Sequence, residues 1–126
     1  MKLYIGGCGQ NKLHYVMAEC GLKEMDFCDG ADCQREDLLS KKGINHLHLM
    51  VKRSVFSDRD PAETAQELQR NNPELILICD EVGCGIVPLS KEERDYRERT
   101  GRLCTELARR ADEVVRIFCG IGVRIK

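Results

Sequence analysis

Three things are scarce in this sequence: long apolar runs, surplus charge of either sign, and closely paired cysteines. No stretch approaches the roughly 18 apolar residues of a membrane-spanning helix. Lysine plus arginine number 20 against 21 aspartate plus glutamate, a formal net charge of −1. That balance gives no electrostatic case for nucleic acid or an anionic membrane as a partner. The opening MKLYIGGCG is too short in its apolar part, and too glycine-rich, for a signal peptide. A cytoplasmic protein is expected. Internal repeats, low-complexity segments and linkers are also missing, so residues 1–126 read as one domain, long enough to bury a core.

Eight cysteines are present, but Cys8, Cys20, Cys28, Cys33, Cys79, Cys84, Cys104 and Cys119 include no CxxC pair. CxxxxC spacing occurs only at 28/33 and 79/84. Structural zinc usually draws on tight ligand pairs with about two to four intervening residues, and two four-residue gaps make a site of four thiolates the lesser alternative. Cys79 in a strand, Cys104 in a helix and Cys119 in the last strand stand where a small apolar residue would serve. Buried free thiols in a reducing compartment are the expectation.

The most informative run is Leu75–Pro88, LILICDEVGCGIVP. Leu75–Cys79 is continuously apolar, as befits a strand buried on both faces of a parallel sheet. Asp80 and Glu81 stand at its carboxyl end, where open α/β sheets bind their ligands. Earlier, Lys2–Ile5 predicts a strand, Asn11–Cys20 a helix closed by Gly21, and Met25–Cys28 a second strand ending at Asp29-Gly30. The polar stretch Ala31–Lys42 predicts at most one helical turn, around Glu36–Leu39. Ile44–Phe56 fits either alternation or helical spacing, and the longer pattern favours helix.

Asp60 caps the next helix, with Pro61 at its first position and Glu63 in its first turn; it ends near Asn71-Asn72-Pro73. Ser90 and Glu93 form a capping box opening a helix to about Ala111. Its stripe is Tyr96, Thr100, Leu103, Leu107 and Ala111. Glu113–Cys119 closes the chain as a final strand. Alternating strands and helices predict an α/β fold with a three-layer parallel sheet.

Between the first strand and first helix lies Gly6-Gly7-Cys8-Gly9-Gln10-Asn11-Lys12-Leu13, where a phosphate-binding loop belongs. The GxxxxGK[ST] motif uses glycines to turn backbone N–H groups toward phosphates, lysine to reach the outer phosphates, and a hydroxyl to hold magnesium. Gly6 and Lys12 are in register. Asn11 replaces the second glycine and tolerates left-handed backbone, while Leu13 has no hydroxyl to offer. The alternative is a plain glycine turn. Asp80–Glu81 resembles the acidic end of a Walker B strand, and Asp29 is a second candidate for the same chemistry; each could equally be a solvated carboxylate. His46 and His48 point to different sides of a helix but would share a face of a strand. As helix residues they read as surface or partly buried histidines, and His14 is equally weak. The charges of Lys91–Arg102 read as the solvated face of an amphipathic helix.

DEVGCGIVP, then Arg94, Tyr96-Arg97 and Gly101-Arg102, then Ala108, Ala111-Asp112-Glu113-Val114 and the closing Gly120-Ile121 … Lys126 resemble the adenosylcobinamide kinase/adenosylcobinamide-phosphate guanylyltransferase family. The match runs from Leu75 to Lys126, and Gly6-Gly7 … Lys12 falls where that family keeps its P-loop. The resemblance implies a P-loop NTPase type of fold in one domain, and a role in cobalamin biosynthesis. It implies phosphorylation of the aminopropanol hydroxyl of adenosylcobinamide, followed by GMP transfer from GTP through a guanylylated histidine. It also implies GTP or ATP with Mg2+ as cofactors, nucleotide and corrinoid small molecules as partners, and a homo-oligomer. Lys12, Asp29 and Glu81 would then be catalytic. Gly6, Gly7, Cys8, Gly9, Gln10, Asn11, Lys12 and Leu13, with Val82, Gly83 and Gly85, would bind nucleotide, and Asp29 and Asp80 the metal. No segment resembles the family's histidine-bearing region, and His46 and His48 are not a transferable match. A non-catalytic nucleotide- or corrinoid-binding remnant is the alternative.

Overall fold

The run Leu75–Cys79 divides its side chains between the two faces of a sheet, which is why every position is apolar. Leu75, Leu77 and Cys79 pack into one core cluster with Leu3, Leu103 and Leu107. Ile76 and Ile78 pack into another with Tyr4 and Val16. The computed structural model describes Met1–Lys126. Its elements in order are β1 (Lys2–Gly6), α1 (Lys12–Cys20), β2 (Phe27–Asp29), β3 (Gly43–Asn45), α2 (Leu47–Lys52), α3 (Pro61–Asn71), β4 (Ile76–Asp80), α4 (Lys91–Arg110), β5 (Glu113–Phe118) and β6 (Ile121–Arg124). Short 3-10 turns occupy Glu24–Asp26 and Glu36–Leu39.

The six strands form one sheet in the order β2-β3-β4-β1-β5-β6. The pairs β2–β3, β3–β4, β4–β1 and β1–β5 are parallel, and β6 runs antiparallel to β5. Residues of α1 cover one face, while those of α2, α3 and α4 cover the other. Three layers result, as expected of a P-loop NTPase type of fold. After β1 the chain departs toward the β2 edge; after β4 it crosses by way of α4 to β5 on the opposite side. Neighbouring strands with diverging connections create a crevice at their carboxyl ends. Here it opens between Gly6 and Asp80, which are paired in register.

Local signals account for most boundaries. The Asp60 side chain accepts from the N–H groups of Ala62 and Glu63, with Pro61 opening α3. The Ser90 hydroxyl accepts from Glu93 N–H at the start of α4. Gly21 closes α1 at φ 65°. Thr100, Leu103, Leu107 and Ala111 are buried along the α4 stripe, and Tyr96 packs at its edge.

Two expectations are corrected. Ile44–Phe56 is not one helix: Gly43–Asn45 is a strand, His46 turns left-handed at φ 54°, and the helix spans only Leu47–Lys52. Ile44, Leu47, Met50, Val51 and Phe56 all enter the same core cluster, so the apolar spacing continued through a change of element. Nor is Glu113–Cys119 the final strand. Cys119 and Gly120 both take positive φ, 50° and 74°, and reverse the chain into β6. A two-residue loop with both φ values positive matches the right-handed twist of a hairpin. Cys119 is therefore an exposed turn residue, in contrast to buried Cys79. All eight cysteines are free thiols. The 28/33 spacing brings its sulfurs to 2.7 Å, whereas in the 79/84 pair Cys79 is buried and Cys84 exposed.

Candidate active site

The β1–α1 loop carries its lysine inward. Asn11 adopts φ 63° and Gly9 φ 71°, so Asn11 supplies the left-handed turn that the motif assigns to glycine. Gly6 lies so close to β5 that a Cβ there would sit 2.3 Å from the Ile117 carbonyl oxygen. From the opposite strand, the Gln10 side-chain oxygen accepts from Cys119 N–H at 2.5 Å, and Gly120 N–H donates to the Gln10 carbonyl. The loop is thereby tied to the β5–β6 hairpin. Lys12 is buried; its Nζ donates to the Gly7 carbonyl at 2.7 Å and lies 2.8 Å from Asp80 Oδ1. Leu13 turns partly into the α1 core.

At the end of β4, Asp80 is also met by His48. The His48 Nδ1 accepts from Asp80 N–H at 3.2 Å, and its Nε2 stands 3.9 Å from Asp80 Oδ2. Burial lowers the His48 pKa below its usual value, outweighing the opposing pull of the Asp80 charge. An uncharged ring accepting at Nδ1 follows from that environment.

Asp29, at the end of β2, is paired in register with Asn45 of β3. One of its oxygens accepts from Ala31 N–H at 2.8 Å, and the other lies 2.9 Å from His46 Nδ1. Asp29, expected to be catalytic and to hold the metal, has one oxygen on its own loop and the other on a histidine. His46 sits at the N-cap of α2 yet makes no capping hydrogen bond with its side chain. A left-handed non-glycine residue costs on the order of 1–3 kcal/mol and persists only where its surroundings enforce it.

These groups share an open cleft of about 290 Å³ lined by Cys8, Gly9, Gln10, Asn11, Lys12, Leu13, His14, Asn45, His46 and Asp80. Six of the loop residues named from sequence therefore line the cleft together with Asp80. Gly6 and Gly7 do not line it; Gly6 packs against β5 and the Gly7 carbonyl holds Lys12. The DEVGCGIVP loop is arranged differently. Arg97 of α4 donates to the carbonyls of Val82, Cys84 and Ile86 at 2.6, 3.0 and 2.8 Å. Arg94 holds those of Pro88 and Leu89. Val82, Gly83 and Gly85, expected at the nucleotide, lie outside the cleft because α4 draws their loop to itself. Glu81 likewise faces β5, 3.2 Å from Arg116. His14, Asn45 and His46 line the cleft without having been assigned a site role from sequence, and of these His46 alone meets a carboxylate named from sequence, Asp29. The signal of that contact lies in the strand register, which no single segment carries.

Magnesium can be tested against this donor set. Asp80 offers Oδ2, and Leu13 offers nothing; no group of three or more His, Cys, Asp or Glu side chains is disposed to hold a metal ion. Mg2+ commonly binds through one or two carboxylates plus substrate phosphates, and Asp80 meets that minimum.

Comparison with known proteins converges on one family. Residues 37–125 match the model of the family described as cobinamide kinase / cobinamide phosphate guanyltransferase. The "Bifunctional adenosylcobalamin biosynthesis protein CobU" of Salmonella typhimurium is 45% identical over 129 aligned residues, covering 90% of this chain and 71% of that protein. The Escherichia coli protein of the same description is 45% identical over 58 residues, 46% of this chain and 32% of its own length.

Proposed function

Because the chain belongs to the cobinamide kinase / cobinamide phosphate guanyltransferase family, we propose that it binds GTP or ATP on the β1–α1 loop and phosphorylates adenosylcobinamide. Proteins of this family use nucleotide substrates and serve cobalamin biosynthesis. The observation that carries the reading is Lys12: a buried ammonium, set by a left-handed Asn11, at the crevice between the carboxyl ends of β1 and β4.

In this reading the backbone N–H groups of Gly7–Leu13 receive the phosphates, and Lys12 exchanges part of its contact with Asp80 for the outer phosphate oxygens. Asp80 would hold Mg2+, which when bound would neutralise phosphate charge. Glu81, whose N–H donates to the Gly6 carbonyl while its carboxylate pairs with Arg116, would act as a positioning residue at the start of the loop. Such catalysis is mainly positioning and electrostatics. Guanylyl transfer lies outside the proposal. The reading includes a cytoplasmic location and a homo-oligomer, for which the exposed Phe118, Ile121, Val123 and Ile125 at the sheet edge give apolar surface.

Isothermal titration with GTP and with ATP, each with Mg2+, tests the reading; saturable binding is expected, and none at millimolar nucleotide overturns it. Leu13 favours a second reading, a non-catalytic protein that binds nucleotide or corrinoid without turnover. Combining Leu13→Ser with Asn11→Gly separates the two: a gain in turnover marks a lapsed enzyme, and no gain in a protein that binds without turnover marks a binding role.

A further inference from the structure

Deepening that phosphoryl-transfer reading, and resting on it, we infer that His46 takes the proton from the substrate hydroxyl, with Asp29 as its positioning residue. Four observations converge on this pair. First, His46 Nδ1 faces Asp29 Oδ2 at 2.9 Å; the Asn45 side-chain nitrogen, 3.2 Å from the same nitrogen, cannot donate to it once it is protonated, and the shorter, charge-assisted carboxylate contact decides where the proton sits. A carboxylate at Nδ1 draws the proton to that nitrogen and leaves Nε2 with a free lone pair. Nε2 has no hydrogen-bond partner in the protein, and the ring lines the cleft that holds Lys12 and Asp80.

Second, the strand register enforces the contact. Gly30 N–H donates to the Asn45 carbonyl at 2.8 Å, and a Cβ on Gly30 would stand 2.1 Å from the His46 carbonyl oxygen. The Asp29-Gly30 turn and the Asn45-His46 turn are thus pressed together. Arg53 braces the same loop through the carbonyls of Gly30 and Cys33, at 3.0 and 2.9 Å. Third, His46 is the left-handed N-cap of α2 at φ 54°, but only its carbonyl serves the helix, accepting from Leu49 N–H; its side chain makes no capping hydrogen bond and is left to the cleft. Fourth, the neighbouring histidine is spent: His48 is buried and its Nδ1 accepts from Asp80 N–H. Of His46 and His48, only His46 presents an unused nitrogen to the cleft; His14, which also lines it, has no carboxylate to fix its proton as Asp29 does for His46.

The step balances as follows. As the alkanol oxygen of the substrate bonds to the γ-phosphorus, its proton passes to His46 Nε2. The bond from that phosphorus to the β-γ bridging oxygen breaks, and the nucleoside diphosphate leaves with the electron pair. Asp29 offsets the imidazolium charge until the proton departs to solvent. General-base groups of this kind contribute about 10²–10⁴-fold.

The experiment measures adenosylcobinamide phosphorylation by the full-length protein with Mg-GTP and Mg-ATP. His46→Gly keeps the positive φ and leaves a ring-sized gap; His46→Asn keeps the positive φ with a polar side chain. Both are expected to lower kcat about 100-fold or more with the nucleotide KM within about twofold, and free imidazole is expected to restore part of the rate in His46→Gly. Asp29→Asn is expected to lower kcat about tenfold or more at unchanged KM, and to move the His46 proton from Nδ1 to Nε2 in 15N NMR spectra. A His46→Asn rate within twofold of wild type overturns the base role and leaves the kinase reading standing. A mass gain of one guanylyl group that vanishes in His46→Asn makes the residue a nucleophile and also overturns it. Wild-type protein that binds nucleotide but never phosphorylates adenosylcobinamide overturns the kinase reading, and the base role with it.

Discussion

The ammonium of Lys12 lies 2.8 Å from the carboxylate of Asp80 while donating to the Gly7 carbonyl. Both side chains are largely withdrawn from water, at 6% and 14% exposure. Removing one partner of a buried pair strands the other charge, at a cost of about 3–5 kcal/mol. Lys12→Met is therefore expected to lower the urea-unfolding free energy by about that amount and to abolish nucleotide binding. Lys12→Met combined with Asp80→Leu should recover most of the stability and none of the binding. Equal stability in the single and double variants would show that the two charges are not coupled.

Asn11 provides a second test, because its φ of 63° replaces a glycine of the motif. Left-handed backbone costs an ordinary residue roughly 1–2 kcal/mol, and asparagine less. Asn11→Gly is expected to stay within about 0.5 kcal/mol of wild type, the relief being offset by the freer unfolded chain. Asn11→Val should lose about 1–2 kcal/mol or more and weaken nucleotide affinity through the displaced loop. Thermal unfolding and titration calorimetry of the two variants decide it.

These two sites show what a linear reading can and cannot reach. The loop was legible because Gly6, Asn11 and Lys12 are neighbours whose chemistry is local. Leu75–Cys79 was legible because burial on two faces leaves no polar position. The Asp29–His46 contact was not, since it depends on β2 and β3 lying side by side in one register. The β5–β6 hairpin escaped notice because cysteine before Gly120 is not among the usual residues of a two-residue turn. The resemblance in DEVGCGIVP identified the family, while the direction in which that loop faces was set by Arg97 from a different element.

Arg97 yields a third expectation. Its guanidinium meets the carbonyls of Val82, Cys84 and Ile86, each a hydrogen bond to a charged donor. Arg97→Ala should free the loop, raising its rate of cleavage in limited proteolysis and lowering stability by about 1.5–3 kcal/mol. Arg97→Lys, with a point charge in place of the planar fork, should rescue only part of both effects. Unchanged proteolysis of the alanine variant would show that the loop holds its shape unaided.

The thiols give a fourth expectation, with a pH dependence of known sign. Burial, then the hydrogen bond with Cys28, raises the Cys33 pKa well above the ordinary thiol value. Its contact with Cys104, then burial, raises that of Cys79. A raised pKa leaves less thiolate at a given pH, so alkylation slows and recovers only as pH climbs. Cys8, Cys84 and Cys119 are exposed. At pH 8, iodoacetamide should label those three first, and Cys33 and Cys79 only after unfolding in urea. The 2.7 Å between the Cys28 and Cys33 sulfurs adds a second readout. Diamide, by accepting two electrons and two protons from this pair, should join Cys33 to Cys28 and to no other thiol, faster as pH climbs. Peptide mass mapping checks both results. Early labelling of Cys33 would place it outside the core, and a disulfide from Cys33 to any thiol but Cys28 would separate the pair.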